Sequence, residues 1–106
     1  TWHYPSRAEC MVCHSRAAGF VLGLQTPQMN RVHDYGGVHD NQLRTLSHLG
    51  VFHAKLPKAP SEYAAFPDPA DDAAPLDLRA RAYLHVNCSI CHQMAGGGNA
   101  QIELQY

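Results

Sequence analysis

A chain of 106 residues, 45 % of them hydrophobic and with 8 Gly and 7 Pro among the rest, has room for one small domain or two very small lobes. Its formal charge of −1 and pI near 6.7 show no basic excess, which argues against a nucleic-acid partner. No run approaches the roughly 18 to 20 apolar residues that a bilayer-spanning helix needs, so a transmembrane segment is excluded as well.

The first expected element is a short helix from about Arg7. Ser6 and Glu9 have the spacing of a capping box, preceded by Pro5. This helix delivers Cys10-Met11-Val12-Cys13-His14, a C-x-x-C-H pattern that recurs at Cys88-Ser89-Ile90-Cys91-His92 and uses all four cysteines. C-x-x-C-H is the attachment signature of c-type haem. Two thiols add across the haem vinyl groups, and the adjacent histidine becomes the proximal iron ligand, which assigns that role to His14 and His92. The spacing lets both sulfurs reach one porphyrin edge while the imidazole turns beneath the ring. A four-cysteine zinc site and a thioredoxin-like redox pair also use C-x-x-C, but neither asks for a histidine after the second cysteine. With 8 His in 106 residues, a histidine at both positions arises by chance at about 0.6 %. The expected cofactors are therefore two haem c groups.

Residues 15 to 40 read as irregular, punctuated by Gly19, Gly23, Pro27, Gly36 and Gly37, with a turn at Gln25-Thr26-Pro27-Gln28. Arg31 is a candidate for a haem propionate, because its planar fork suits carboxylates; a solvated surface arginine is the alternative. A second helix is expected at about 41–49, with Asp40 as N-cap and Gly50 as its stop. Leu43, Leu46 and Leu49 form its apolar stripe, and His48 sits at the margin. Residues 55–76, with Pro57, Pro60, Pro67, Pro69 and Pro75, read as a proline-stiffened arm, either a linker or a strap across a haem face. A third helix is expected from about Leu78 to Cys91, capped by Asp77 and leading into the second motif. Gly96-Gly97-Gly98-Asn99 then reads as a flexible turn.

The sixth ligand of each iron decides whether it passes electrons or does chemistry. The spare side chains are His3, His33, His39, His48, His53 and His85, with Met11, Met29 and Met94. His85 and His92 are seven residues apart, two turns, so they project from one face of the third helix and cannot flank one iron. For the first haem the order of preference is His48, His85, then Met29. For the second it is a residue beyond Tyr106, with His53 and His39 as weaker internal options.

Several segments together carry a more specific signal: residues 2–10 (Trp-His-Tyr-Pro-Ser-Arg-Ala-Glu-Cys), 22–28 (Leu-Gly-Leu-Gln-Thr-Pro-Gln), 41–46 (Asn-Gln-Leu-Arg-Thr-Leu), His48-Leu49-Gly50, and 83–88 (Tyr-Leu-His-Val-Asn-Cys). With the two motifs, they resemble a dihaem cytochrome c module found at the end of large secreted proteins of planctomycetes and related bacteria, often behind a sugar-dehydrogenase-like propeller. The resemblance spans nearly the whole chain. It implies periplasmic electron transfer, and His48 and His85 both fall on its motif positions. The family module continues past the glycine-rich turn to a methionine-bearing segment that would complete the second haem.

The expectation is thus a mostly α, small cytochrome c-like dihaem domain: few short helices, with long irregular, Pro-rich connections wrapped around the haems. Its first lobe would cover about 1–54, an arm 55–76 and its second lobe about 77–106. Its function would be single-electron transfer between a periplasmic donor, a dehydrogenase or a fused dehydrogenase domain, and a redox protein acceptor. The alternative is a dihaem peroxidase-like enzyme with one open iron. Covalent haem attachment occurs outside the bacterial cytoplasmic membrane, which implies an exported, periplasmic protein whose leader is removed, or a domain of a longer exported chain. Without haem, the chain is expected to be largely unfolded.

Overall fold

The computed structural model describes all residues, Thr1–Tyr106. Four short helices, α1 (Arg7–Cys13), α2 (Thr26–Met29), α3 (Gln42–His48) and α4 (Leu76–Cys88), are joined by a two-stranded sheet, β1 (Val32–Asp34) and β2 (His39–Asn41), and one 3-10 turn at Pro60–Glu62. Helical residues amount to 32 %, and most of the chain is irregular. The expected mostly α, cytochrome c-like architecture is therefore corrected. The cause is visible in the composition: Gly and Pro interrupt the chain so often that the longest helix runs only 13 residues.

Helix α1 forms where the capping box predicts. Ser6 Oγ accepts from the Glu9 amide, and the Glu9 carboxylate accepts from the Ser6 amide at 2.7 Å. The expected irregular stretch 15–40 contains more order than its composition suggests. Gln25-Thr26-Pro27-Gln28 enters a single turn of helix, α2, rather than a simple turn. Strands β1 and β2 pair antiparallel as Val32↔Asn41, His33↔Asp40 and Asp34↔His39. Gly36-Gly37 closes them as a two-residue loop, with Tyr35 N donating to Val38 O at 2.9 Å.

Helix α3 begins one residue later than expected and is capped by Asn41, whose side-chain oxygen accepts from the Leu43 and Arg44 amides. Asp40, the expected cap, is instead held by the Arg44 guanidinium one turn on, which keeps its carboxyl below the usual carboxylate range. Helix α4 starts at Leu76, with Pro75 at the cap and no side-chain cap bond, and stops at Cys88. The expected Asp77 cap and the run to Cys91 are both displaced. Asp77 lies in the first turn, where its charge complements the exposed amides.

The chain divides into two compact units. One joins 1–23 to 67–106 and holds both C-x-x-C-H motifs. The other is 24–66 and holds the hairpin, α2, α3 and the first half of the proline-rich arm. These boundaries differ from the lobes expected at about 1–54 and 77–106.

Unit 24–66 is closed by a polar clasp. The buried Asn30 amide donates to the carbonyls of Pro60, Tyr63 and Ala64, at 2.9, 3.0 and 3.2 Å, while its oxygen accepts from Asn41 Nδ2 at 2.9 Å. Met29 and Leu43 are buried there. In the other unit Ala82 is the only buried hydrophobic residue. Accessible surface totals 8078 Å² for 11.7 kDa, against about 5,900 Å² for a typical folded monomer of that mass. The polypeptide therefore covers little of its own apolar surface. No helix is long and apolar enough to cross a membrane.

Candidate functional site

The two motifs close by the same hydrogen bond. In each, the histidine amide donates to the carbonyl of the first cysteine at 2.9 Å: His14 to Cys10 and His92 to Cys88. This i→i+4 bond puts the imidazole one helical turn beyond the first thiol. The supporting structure differs. Cys10 and Cys13 both lie within α1, and His14 is its C-cap. Cys88 is the last residue of α4, and Cys91 continues in a tight turn with its amide on Cys88 O at 3.1 Å. His92 therefore lies off the helix, and the argument that it shares a helix face with His85 does not hold.

The imidazoles are also held differently. His14 is exposed, with Nδ1 hydrogen-bonded to Phe20 O at 2.7 Å. A backbone carbonyl can only accept, so Nδ1 carries the proton and Nε2 presents its lone pair outward. Such a bond orients a ligating histidine and makes it a better donor. The loop 15–20 folds back to supply this carbonyl, and Phe20 sits at φ 65°, a left-handed conformation uncommon for a bulky residue. Sequence reasoning missed Phe20, because a main-chain acceptor leaves no residue-type signal. His92 is half-buried, and its buried Nδ1 has no hydrogen-bond partner. An unsatisfied buried nitrogen costs about 1–3 kcal/mol, so the polypeptide alone leaves this imidazole under-satisfied.

The four thiols are all free. Cys91 donates to Cys13 across 3.4 Å, well beyond the roughly 2.05 Å of a disulfide. That hydrogen bond, followed by burial and the neighbouring Cys13 and Cys88, pushes the Cys91 thiol above its ordinary value. No three His, Cys, Asp or Glu side chains converge as a metal-binding group.

The other sequence-predicted residues are distributed between the two units. His85 lies with the motifs, half-buried on α4, where its Nδ1 accepts from the Tyr106 amide at 2.8 Å. Burial lowers its pKa. Binding iron through that nitrogen requires the bond to open. His48 ends α3 and is exposed, Met29 is the buried last residue of α2, and Arg31 is exposed at the entry to β1; all three belong to unit 24–66.

Apolar side chains stay uncovered around both motifs. Met11 and Val12, within the first, are 40 % and 48 % exposed. Helix α4, which leads into the second, buries Ala82 but leaves Leu76, Leu78, Tyr83, Leu84 and Val86 exposed. A cleft of about 320 Å³ runs along it between Pro69, Leu76, Arg79, Ala80, Tyr83 and Leu84. Arg79 at its rim bonds Pro69 O and pairs with Asp72. Sequence reading did not single out this arginine. Compared with known protein families, curated proteins and solved structures, the chain has no match.

Proposed function

We propose that the chain is a dihaem c-type cytochrome module that carries single electrons in an exported, periplasmic setting, between a dehydrogenase donor and a redox protein acceptor. The observation that carries this reading is the repeated closure of the two motifs. Each brings two thiols and an imidazole into the same i→i+4 hydrogen-bonded turn, at His14 on Cys10 and at His92 on Cys88. A thiol-redox pair does not require a histidine straight after the second cysteine, whereas haem attachment does, and here both copies carry one.

The donor set suits haem c. Cys10 and Cys13 would hold one group, with His14 beneath it, and Cys88 and Cys91 the other, with His92 beneath it. When bound, haem supplies a one-electron couple at iron, tuned by its axial ligands and by burial. The chain's own residues orient and shield. Phe20 O fixes the His14 tautomer, and α1 and α4 fix the directions of the cysteines. The uncovered side chains Met11, Val12, Leu78, Leu84 and Val86 offer an apolar surface to a large flat group, and the surplus of exposed surface supports the same reading. Electron transfer needs no acid or base on the substrate. Of the candidates for a distal ligand, His85 lies in the unit that holds both motifs.

Expression in a bacterial host with a periplasmic haem-attachment system tests the proposal. The expected product stains for haem on a denaturing gel and has the mass of the polypeptide plus two haems. The mass of the bare polypeptide overturns the reading.

A further inference from the structure

We propose that Cys13 and Cys91 form a direct junction between the two haems, so that the pair exchanges electrons internally and titrates as one interacting unit. The inference rests on the proposed function and specifies how its two centres communicate.

Two independent contacts within one compact unit join the motifs. The first is sulfur on sulfur, Cys13 Sγ to Cys91 Sγ at 3.4 Å, which is van der Waals contact. The second is backbone on backbone. Gly97, in the turn after the second motif, lies so close to Val12 that a Cβ there would sit 2.1 Å from its carbonyl oxygen and 2.9 Å from its carbonyl carbon. Val12 stands between the two cysteines of the first motif. Only glycine allows this approach, which makes Gly97 a positioning residue for the junction.

Chemistry turns the contact into a conduit. In forming a thioether, the sulfur bonds to the vinyl carbon next to the ring, the thiol proton goes to the terminal vinyl carbon, and no oxidant or reductant is consumed. With haem attached, each sulfur would stand two single bonds from its ring edge, and a sulfur contact near the 3.4 Å seen between the free thiols would be the one through-space gap on that path. An electron crossing it would be lost by one haem and gained by the other, with no proton required. At such proximity, charge added at one centre disfavours charge at the other, so the two reductions are coupled.

The test uses the holoprotein. The expected Soret circular dichroism is a bisignate couplet from two interacting porphyrins, and reduction by a rapid one-electron pulse shows a second phase whose rate is independent of protein concentration. A single-signed Soret band together with a concentration-dependent second phase overturns the junction while leaving the haem reading intact. Absence of covalent haem overturns the proposed function instead. The variant Gly97→Ala separates the motifs: the couplet is expected to collapse and the internal phase to slow severalfold, with both haems attached and their individual absorption bands unchanged. An undiminished couplet in Gly97→Ala carrying both haems overturns the role of Gly97. If the variant fails to retain haem, the wild-type couplet and concentration series decide.

Discussion

The two compact units solve the problem of being small in opposite ways. Unit 24–66 supplies its own interior. Met29 and Leu43 are buried, and Asn30 ties Pro60, Tyr63 and Ala64 to the hairpin side of the unit through Asn41. The unit formed by 1–23 and 67–106 carries both C-x-x-C-H motifs and the longest helix, yet buries only Ala82 among its hydrophobic residues. A 13-residue helix without a packed apolar face has little reason to persist on propensity alone. On the proposed haem reading, the difference teaches that dependence on a prosthetic group should be local to one unit. The unit that would bind haem buries only Ala82 among its hydrophobic residues, whereas the other has Met29, Leu43 and the Asn30 clasp to hold it.

The largest effect should come from withholding haem. A chain produced without haem attachment is expected to lose protection of backbone amides throughout α1 and α4, while amides of α3 and the hairpin stay protected. Hydrogen exchange read by mass spectrometry checks this, and uniform loss across 1–106 would break the comparison. This sharpens the expectation from composition that the haem-free chain is largely unfolded. The next effect lies in the other unit. Leu43, at 1 % exposure, is its best-buried side chain, and Leu43→Ala should cost about 3 kcal/mol by leaving a cavity. Asn30→Ala should cost about 2 kcal/mol, because it removes the donor to three carbonyls and the acceptor for Asn41. In both variants, denaturant unfolding followed by amide protection of 24–66 should shift, with two haems still attached. Haem loss in step with that shift would show the units to be mutually dependent.

How much of this the sequence disclosed depended on where the signal was local. The Ser6–Glu9 box, the first helix and the second helix around Leu43 rest on contacts within four residues, and they could be read directly. The hairpin has a local signal as well, Gly36-Gly37 between Tyr35 and Val38, but its strands are three residues long and offer too little alternation to recognise. Helix α4 was misplaced at both ends because Asp77 resembles a cap, whereas Pro75 supplies the entry and the second motif's turn ends the helix early. The chemistry-bearing residues were legible as types: Cys10, Cys13, His14, Cys88, Cys91 and His92. Their environments were not. The Phe20 carbonyl on His14, the orphaned Nδ1 of His92 and the Gly97–Val12 approach are main-chain or long-range facts that no residue type announces.

A close approach of the same kind makes a smaller prediction at the second motif. A Cβ on Gly98 would lie 2.9 Å from His92 Nδ1, so Gly98→Ala must displace the imidazole or the turn. In the haem-loaded protein, the absorption and EPR signals of the group that Cys88, Cys91 and His92 would hold should change, and those of the group that Cys10, Cys13 and His14 would hold should not. Equal change at both haems would mean that the two histidine environments are less separate than their geometry indicates.

The smallest expected effect is at the cap of α1, and it tests whether the core-poor unit gains anything from local order. Ser6→Ala removes the acceptor for the Glu9 amide and should cost about 1 kcal/mol. The reciprocal half of the box titrates. The Glu9 carboxylate accepts from the Ser6 amide and side chain and lies near His3, and these contacts hold its pKa below the ordinary glutamate value of 4.5. A carboxyl whose folded pKa is depressed stabilises the fold fully above its unfolded pKa, and that contribution is lost as pH falls through the folded value. Helix α1 should therefore loosen below about pH 4.5. Glu9→Gln should flatten this dependence while leaving neutral-pH stability only slightly lowered, because the amide oxygen can still accept from Ser6. Acid titration of the holoprotein, with amide protection in α1 as readout, measures it. If the wild type and Glu9→Gln lose protection at the same pH, the thioethers to Cys10 and Cys13 hold α1 in place of the box, and the covalent haem supplies the helix with its order as well as the unit with its core.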